Sequence, residues 1–391
     1  MNSLARIPVL RLVSLAAAAA ALAALSSPGT ASAAQGITLP PNGENPQASV
    51  MQAIGPVRVT IDYSSPRVVR GDNDRRGKIW GEVVPWGLSD LGLNGCTACP
   101  WRGGANENTV FTVTHDVRVQ GEPLPAGRYG LHLIPEKDAS WTVAFSRDAD
   151  SWGSYWYDPK KDALRVKTQP SKSDYHEWLT YEFVERNPAD ATVALEWEEL
   201  RIPIKVSVDR VDELWAADMR RDLRGWAGFS WQNWQQAAEF CAQKKVNLPE
   251  ALVWAQRAVN DPYSGGEENF ATLMTLSRLQ ELNGLSAESA KTFEKALNHR
   301  TASPVQIHLV GRQYLTEGKT DEALHIFQLN ARRYPNEWPV HVGLMRAWAA
   351  KGENKKALAE ARLAVAQAPD DQNRKNLEGL VKKLEAGQTI N

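Results

Sequence analysis

Hydrophobic spacing changes once along this chain, near residue 210, and that change limits what the chain can fold into. Before it, apolar and polar residues alternate, as half-buried antiparallel strands require. Trp141, Val143 and Phe145 alternate with Thr142 and Ala144. Val193, Leu195 and Trp197 alternate with Thr192, Ala194 and Glu196, and Ile202, Ile204, Val206 and Val208 with Pro203, Lys205 and Ser207. Further strands are expected at 57–63, 109–119, 128–134, 164–168 and 178–184, with turn signals such as Gly121-Glu122-Pro123 and Pro125-Ala126-Gly127 between them. Many short strands without intervening helices predict an antiparallel β-sandwich, or a barrel, over 55–209.

From Val211 onward the period is helical, and a repeat of 34 residues emerges. Gly284, Gly318 and Gly352 are 34 apart (318 − 284 and 352 − 318), as are Pro335 and Pro369 and the pair Ala323 and Ala357. That period matches tetratricopeptide-like repeats, in which each unit is a helix, a turn and a second helix. The clearest units are expected at 305–335 and 338–369. Two weaker ones stand at 231–260 and 267–299, with Ala251 and Ala290 at the small-residue position, and a capping helix is expected within 371–391. The α-helical repeat domain is thus placed at 210–391. Arrays of this kind offer a concave surface to proteins or extended peptides, so a protein or peptide partner is expected there.

Residues 1–33 read as a signal peptide. Arg6 and Arg11 precede an alanine-rich apolar run, and Ala31-Ser32-Ala33 is a small-residue cleavage site. The run is shorter than the roughly 20 residues that cross a bilayer, so a cleaved chain without a membrane span is expected, in the periplasm or outside the cell. Residues 34–54 are expected to form a flexible segment. With 45 basic and 46 acidic residues, no basic excess argues for nucleic acid. Cys96 and Cys99 can form a disulfide in an oxidising compartment; Pro100 stands where haem attachment would need histidine. Cys241 lies in a helical stretch and reads as a buried thiol. No cofactor is expected.

Several segments in the same order resemble the bacterial family DUF2911, whose members are secreted and largely uncharacterised. They include Tyr63-Ser64-Ser65-Pro66-Arg67, Lys78-Ile79-Trp80-Gly81, Val84-Pro85-Trp86-Gly87, the loop from Trp101 to Asn108 and the stretch from Leu124 to His132. Trp152-Gly153-Ser154-Tyr155 and Asp162-Ala163-Leu164-Arg165-Val166 complete the set. The resemblance implies a secreted β-sandwich often followed by helical repeats. The family pattern runs almost directly from the Val-Pro-aromatic-Gly segment into the Trp-Arg loop, whereas here 88–100, with both cysteines, stands between them.

Candidate ligand-binding residues are Arg67, Trp80, Trp101, Arg102, Asn106 and Glu107. An arginine fork can clamp a carboxylate or phosphate, and Asn106 and Glu107 can bond hydroxyls or order a water. The competing structural reading pairs Arg102 and Glu107 with each other or with Arg67 and leaves Asn106 to the turn backbone. Trp80 and Trp101, with Trp86, are either a stacking platform or packing residues. His115, His132 and His176 lack the spacing of a metal set, and no metal site is expected. The nucleophile elbow G-x-S-x-G is absent, and Trp152-Gly153-Ser154 does not replace it. Glu82, Glu107 and Asp162 suit a glycosidase only if two of them converge.

The leading expectation is a secreted or periplasmic non-enzymatic binding protein, with a ligand on the sandwich, a small molecule or glycan among the options, and a partner on the repeats. Its rivals are a secreted hydrolase acting on glycan, with Glu107 and a second carboxylate beside Arg102, and a carbohydrate-binding module with a solvent-facing tryptophan row.

Overall fold

A computed structural model describes residues 45–92 and 96–390. The signal peptide expected at 1–33 and residues 34–44 lie outside the described residues.

The first half is a sandwich of two antiparallel sheets. One has six strands in the order β1 (Gln47–Ile54), β2 (Val57–Ser64), β5 (Thr109–Val113), β8 (Gly127–Ile134), β9 (Trp141–Ser146) and β10 (Asp162–Thr168). The other runs β11 (Ser171–Arg186), β12 (Asp190–Ser207), β6 (Val117–Val119) and β7 (Glu122–Leu124). A two-stranded ribbon, β3 (Val69–Arg70) with β4 (Asn73–Asp74), stands apart. Alternating residues of both sheets, among them Val59, Ile61, Phe111, Leu131, Val143, Leu195 and Ile204, meet in one core.

Three expectations need correction. Residues 47–54 are not a flexible segment: they form β1, which pairs along its whole length with β2, from Gln47 against Ser64 to Ile54 against Val57. The expected strand at 109–119 divides into β5 and β6, in different sheets. The two runs around 193–197 and 202–208 are one strand, β12, which passes through Glu198 at φ 54°.

Helix α1 (Val211–Asp222) joins the halves, with Val211 and Leu214 packed on the sandwich core. Four helix pairs follow: α2 (Trp231–Lys244) with α3 (Leu248–Asn260), α4 (Phe270–Leu282) with α5 (Ser286–Asn298), α6 (Pro304–Thr316) with α7 (Thr320–Arg333), and α8 (Trp338–Ala350) with α9 (Asn354–Ala366). Helix α10 (Asp371–Glu385) packs on α9. Gly284, Gly318 and Gly352 occupy the turns inside the last three pairs at φ 78°, 76° and 75°, a left-handed conformation that costs glycine little. The first pair turns instead through Lys245 and Asn247, at φ 56° and 51°. The repeat spacing drifts there because the connection from α3 to α4, 261–269, is longer than the later ones, 299–303 and 334–337.

Buried Ala251, Ala323 and Ala357 each sit in the first turn of a pair's second helix. In the α4–α5 pair the equivalent position is Ser289, not Ala290, which is exposed. Its hydroxyl donates to the Ser277 carbonyl at 2.8 Å, and the Ser277 hydroxyl returns a bond to the Ser289 carbonyl at 3.0 Å. The polar atoms are satisfied, so a small hydroxyl replaces alanine here.

Candidate functional site

Five tryptophans gather at one end of the sandwich. Trp80 meets Trp101, Trp141 and Trp197 edge-on at 5.8, 5.4 and 5.9 Å between ring centres, and Trp101 stacks on Trp197 at 6.3 Å and 17°. Trp86 touches Trp141 edge-on at 6.3 Å. Each such pair contributes about 0.5–1.5 kcal/mol beyond the area it buries. Trp80 and Trp101 therefore pack, and the cluster is not a row facing solvent. Trp101 is also fixed by its backbone, which exchanges two 2.7 Å hydrogen bonds with Leu133.

Beside this cluster lies a cleft of about 390 Å³. Its walls come from Trp101 and Trp197, from Val84 and Pro85, and from Ser89, Leu91, Cys99 and Pro100. Ser89 and Cys99 close the base of the segment 88–100 with backbone bonds of 2.9 and 2.8 Å, and Cys96 and Cys99 are joined by a disulfide. Arg70, Arg75 and Arg102 line the same cleft, and among the described residues no Asp or Glu is in its lining. Trp197, only 2% exposed, contributes an indole N–H with no hydrogen-bond partner.

Of the expected site residues, Trp101 and Arg102 line this cleft and the other four do not. Arg102 lines the cleft, lies over Tyr155 at 5.2 Å and donates to the Asn106 carbonyl. Asn106, at φ 58°, accepts from Asn45 at 3.2 Å. Glu107 is exposed on a different groove with Asp62 and accepts from the Ser64 hydroxyl at 3.1 Å. Arg67 bridges the backbone of Trp178 and lies 5.7 Å over its ring. Among the described residues, no carboxylate pair of the kind glycan hydrolysis needs lies in the cleft lining beside Arg102. Asp162 is engaged elsewhere, by Tyr157 and Arg165 at 2.6 Å each.

A buried pair that sequence spacing could not disclose sits behind the cleft. His132 is 2% exposed and Ser154, which reaches the cleft wall, 1% exposed; Nδ1 and Oγ are 3.0 Å apart. Leu131 and Leu133 point into the core, so His132 faces the opposite side of β8, where the 147–161 loop covers it. Burial first, then the Arg102 charge, pushes the His132 pKa down to about 4, against the pull of Asp148. The imidazole is neutral at pH 7. The signal in the sequence is Gly130 and His132 interrupting an apolar run. His115 and His176, also considered in the sequence, lie elsewhere: His115 contacts Thr114, and His176 lies 3.3 Å from Glu196. Among the described residues no group of three or more His, Cys, Asp or Glu is arranged to hold a metal.

Gly153 lets Arg102 lie where it does. Its φ is 61°, and a Cβ there would overlap the guanidinium. Gly153→Ala is expected to destabilise by about 1–3 kcal/mol, from overpacking and a left-handed alanine. An unchanged melting temperature would contradict this packing.

Residues 45–206 match the family described as Protein of unknown function (DUF2911). No curated protein matches the sequence. Among solved structures, MamA (41-end) from Desulfovibrio magneticus RS-1 is similar at 15% identity and TM-score 0.25, covering 41% of this chain and 97% of that one. A Podosopora anserina kinesin light chain with nearly identical TPR-like repeats is similar at 16% identity and TM-score 0.27, covering 46% of this chain and 88% of that one. Both likenesses are too distant to carry an argument, and the repeat architecture rests on the helix pairs themselves.

Proposed function

We propose that this chain, a DUF2911 sandwich joined to tetratricopeptide-like helix pairs, is a non-enzymatic binding protein of the periplasm or cell exterior whose repeats hold a basic peptide segment of a partner protein. The address is supported by the sequence of residues 1–33 and agrees with the Cys96–Cys99 disulfide. No helix among the described residues is long and apolar enough to cross a membrane.

The observation that carries the partner reading is a groove of about 830 Å³ across α4, α5 and α6. Four carboxylates line it, Glu239, Glu281, Glu294 and Glu317, against two cations, Arg278 and Lys319. Both cations are already engaged, Arg278 with Glu239 at 2.9 Å and Lys319 with Glu317 at 2.7 Å. Glu281 and Glu294 accept only neutral donors, from Ser286 and Asn298. Phe293 and Tyr314 stack at 5.7 Å in the same wall, and offer an apolar face beside the surplus charge. A lysine or arginine next to an aromatic or aliphatic anchor complements both features.

The test is fluorescence polarisation of a peptide library on the full mature chain. Basic-aromatic peptides should bind, more weakly as salt rises, and Glu281→Gln with Glu294→Gln should cost about tenfold in Kd, or roughly 1.4 kcal/mol. Equal binding of acidic peptides, or none of basic ones, would refute the reading.

A further inference from the structure

We infer that the cleft at the tryptophan end of the sandwich is a binding site for a small organic oxyanion, a carboxylate or a phosphate ester, clamped between Arg75 and Arg102 with its body against Trp101 and Pro85. This site lies in the other half of the chain from the peptide groove, so its test and that of the partner reading are independent.

Three observations converge. The first is uncompensated charge: among the described residues no carboxylate lies within ion-pair distance of Arg75 or Arg102. Arg75 donates from Nε to the Val68 carbonyl at 3.1 Å and from Nη2 to that of Arg67, and lies 5.8 Å over Trp197. Arg102 donates from Nη1 to the Asn106 carbonyl. Each guanidinium has five N–H donors, so these bonds fix the two forks while leaving donors on each unspent. Such preorganised arginines favour planar oxyanions, which they bind bidentately.

The second is field. Arg70 is a third cation of the same cleft. Burial, then the Arg70 charge, pushes the Arg75 guanidinium down from its ordinary value, against the pull of Glu177. An anion bound here would relieve that repulsion. A low-dielectric aromatic wall on one side strengthens each charge contact relative to open water.

The third is an orphan donor. A buried indole N–H without a partner is uncommon in a folded protein, and the one on Trp197 sits in a residue that lines this cleft. A ligand oxygen is a fitting acceptor. The Ser154 hydroxyl, held by His132, adds a further polar group to the same wall.

The experiment is isothermal titration of the full mature chain with benzoate, phenyl phosphate, inorganic phosphate and, as the neutral control, phenol. Benzoate, phenyl phosphate or both should bind, phenol should not, and the two anions separate a carboxylate site from a phosphate site. Binding of inorganic phosphate alone would overturn the organic part of the proposal. Arg102→Gln should weaken binding at least tenfold, and Arg102→Lys, which keeps the charge but not the fork, less so. Arg118→Gln, on the exposed pair with Asp209, should change nothing. Circular dichroism establishes that each variant is folded, and Arg75→Lys serves as the second variant if Arg102→Gln is not. If none of the anions binds, or if phenol binds as well, or if Arg102→Gln and Arg75→Lys titrate like wild type, the cleft is not an oxyanion site.

Discussion

Phe327→Ala is expected to melt the last two helix pairs while the sandwich stays folded. Phe327 is fully buried on α7 and fills the space between two glycines, Gly311 on α6 and Gly343 on α8. A Cβ on Gly311 would come within 2.5 Å of its ring, and one on Gly343 closer still. Here three helices approach around one aromatic side chain, and its removal leaves a void between them. Phe-to-Ala changes in such cores cost about 3–5 kcal/mol, a large part of the roughly 5–15 kcal/mol that holds a domain together. Because each repeat contacts only its neighbours, the loss should stay local. Calorimetry should show one transition displaced to lower temperature and the other unmoved. A second change makes the argument sharper. Gly343→Ala alone should destabilise by about 1–3 kcal/mol through overpacking, yet in the Phe327→Ala background the added methyl enters the cavity and should be neutral or stabilising. Additive effects of the two changes would show that the ring and the glycines are not coupled.

That coupling explains why the helical half is legible in the sequence. Glycines 34 apart mark left-handed turns, and alanines 34 apart mark close helix contacts, so local chemistry and global architecture agree there. Where local chemistry differs, legibility falls: Lys245 and Asn247 turn the first pair without glycine, and Ser289 replaces alanine through a reciprocal hydrogen bond. Strand β1 was obscured for another reason. It is an edge strand with a weak apolar face, in which Gln52 takes an inward position and Met51 is 55% exposed.

The cleft was legible only in part. Arg102 and Trp101 stand out locally, because a Gly-Gly loop before a strand signals a backbone that must turn closely, and the Gly103 carbonyl indeed accepts from the buried Tyr181 hydroxyl at 2.9 Å. Arg75 arrives from the end of the β3–β4 ribbon and Trp197 from the middle of β12, and only the closing of two sheets brings them together. Glu107, adjacent to Asn106 in sequence, is carried to another groove because Asn106 reverses the chain at φ 58°. Proximity along the loop therefore predicted the wrong partners for Arg102.

Acid should destabilise both halves of the molecule well before its carboxylates titrate, and two histidines are the reason. His132 in the sandwich and His308 on α6 both have pKa values pushed down to about 4, in each case by burial first and by a nearby arginine second, Arg102 and Arg312 respectively. In the unfolded chain each returns to about 6.5. Between those values the unfolded state binds protons that the folded state refuses, so stability is complete above pH 6.5 and is lost as pH falls toward 4. At pH 5 the gap is about 1.5 pKa units, or roughly 2 kcal/mol for each histidine at 1.36 kcal/mol per unit. Melting temperatures of both transitions should accordingly fall between pH 7 and pH 5. His132→Gln should flatten the pH dependence of the sandwich transition alone, and His308→Gln that of the repeats alone, whatever each does to absolute stability. Flat profiles in the wild-type protein, or slopes unchanged by either substitution, would mean that these imidazoles are open to water rather than held neutral by the fold. The sandwich result bears on the cleft as well, since protonating His132 places a positive charge beside Arg102 and makes Nδ1 a donor to the Ser154 hydroxyl it contacts. An acid-induced change in benzoate binding that disappears in His132→Gln would tie the buried imidazole to the cleft it supports.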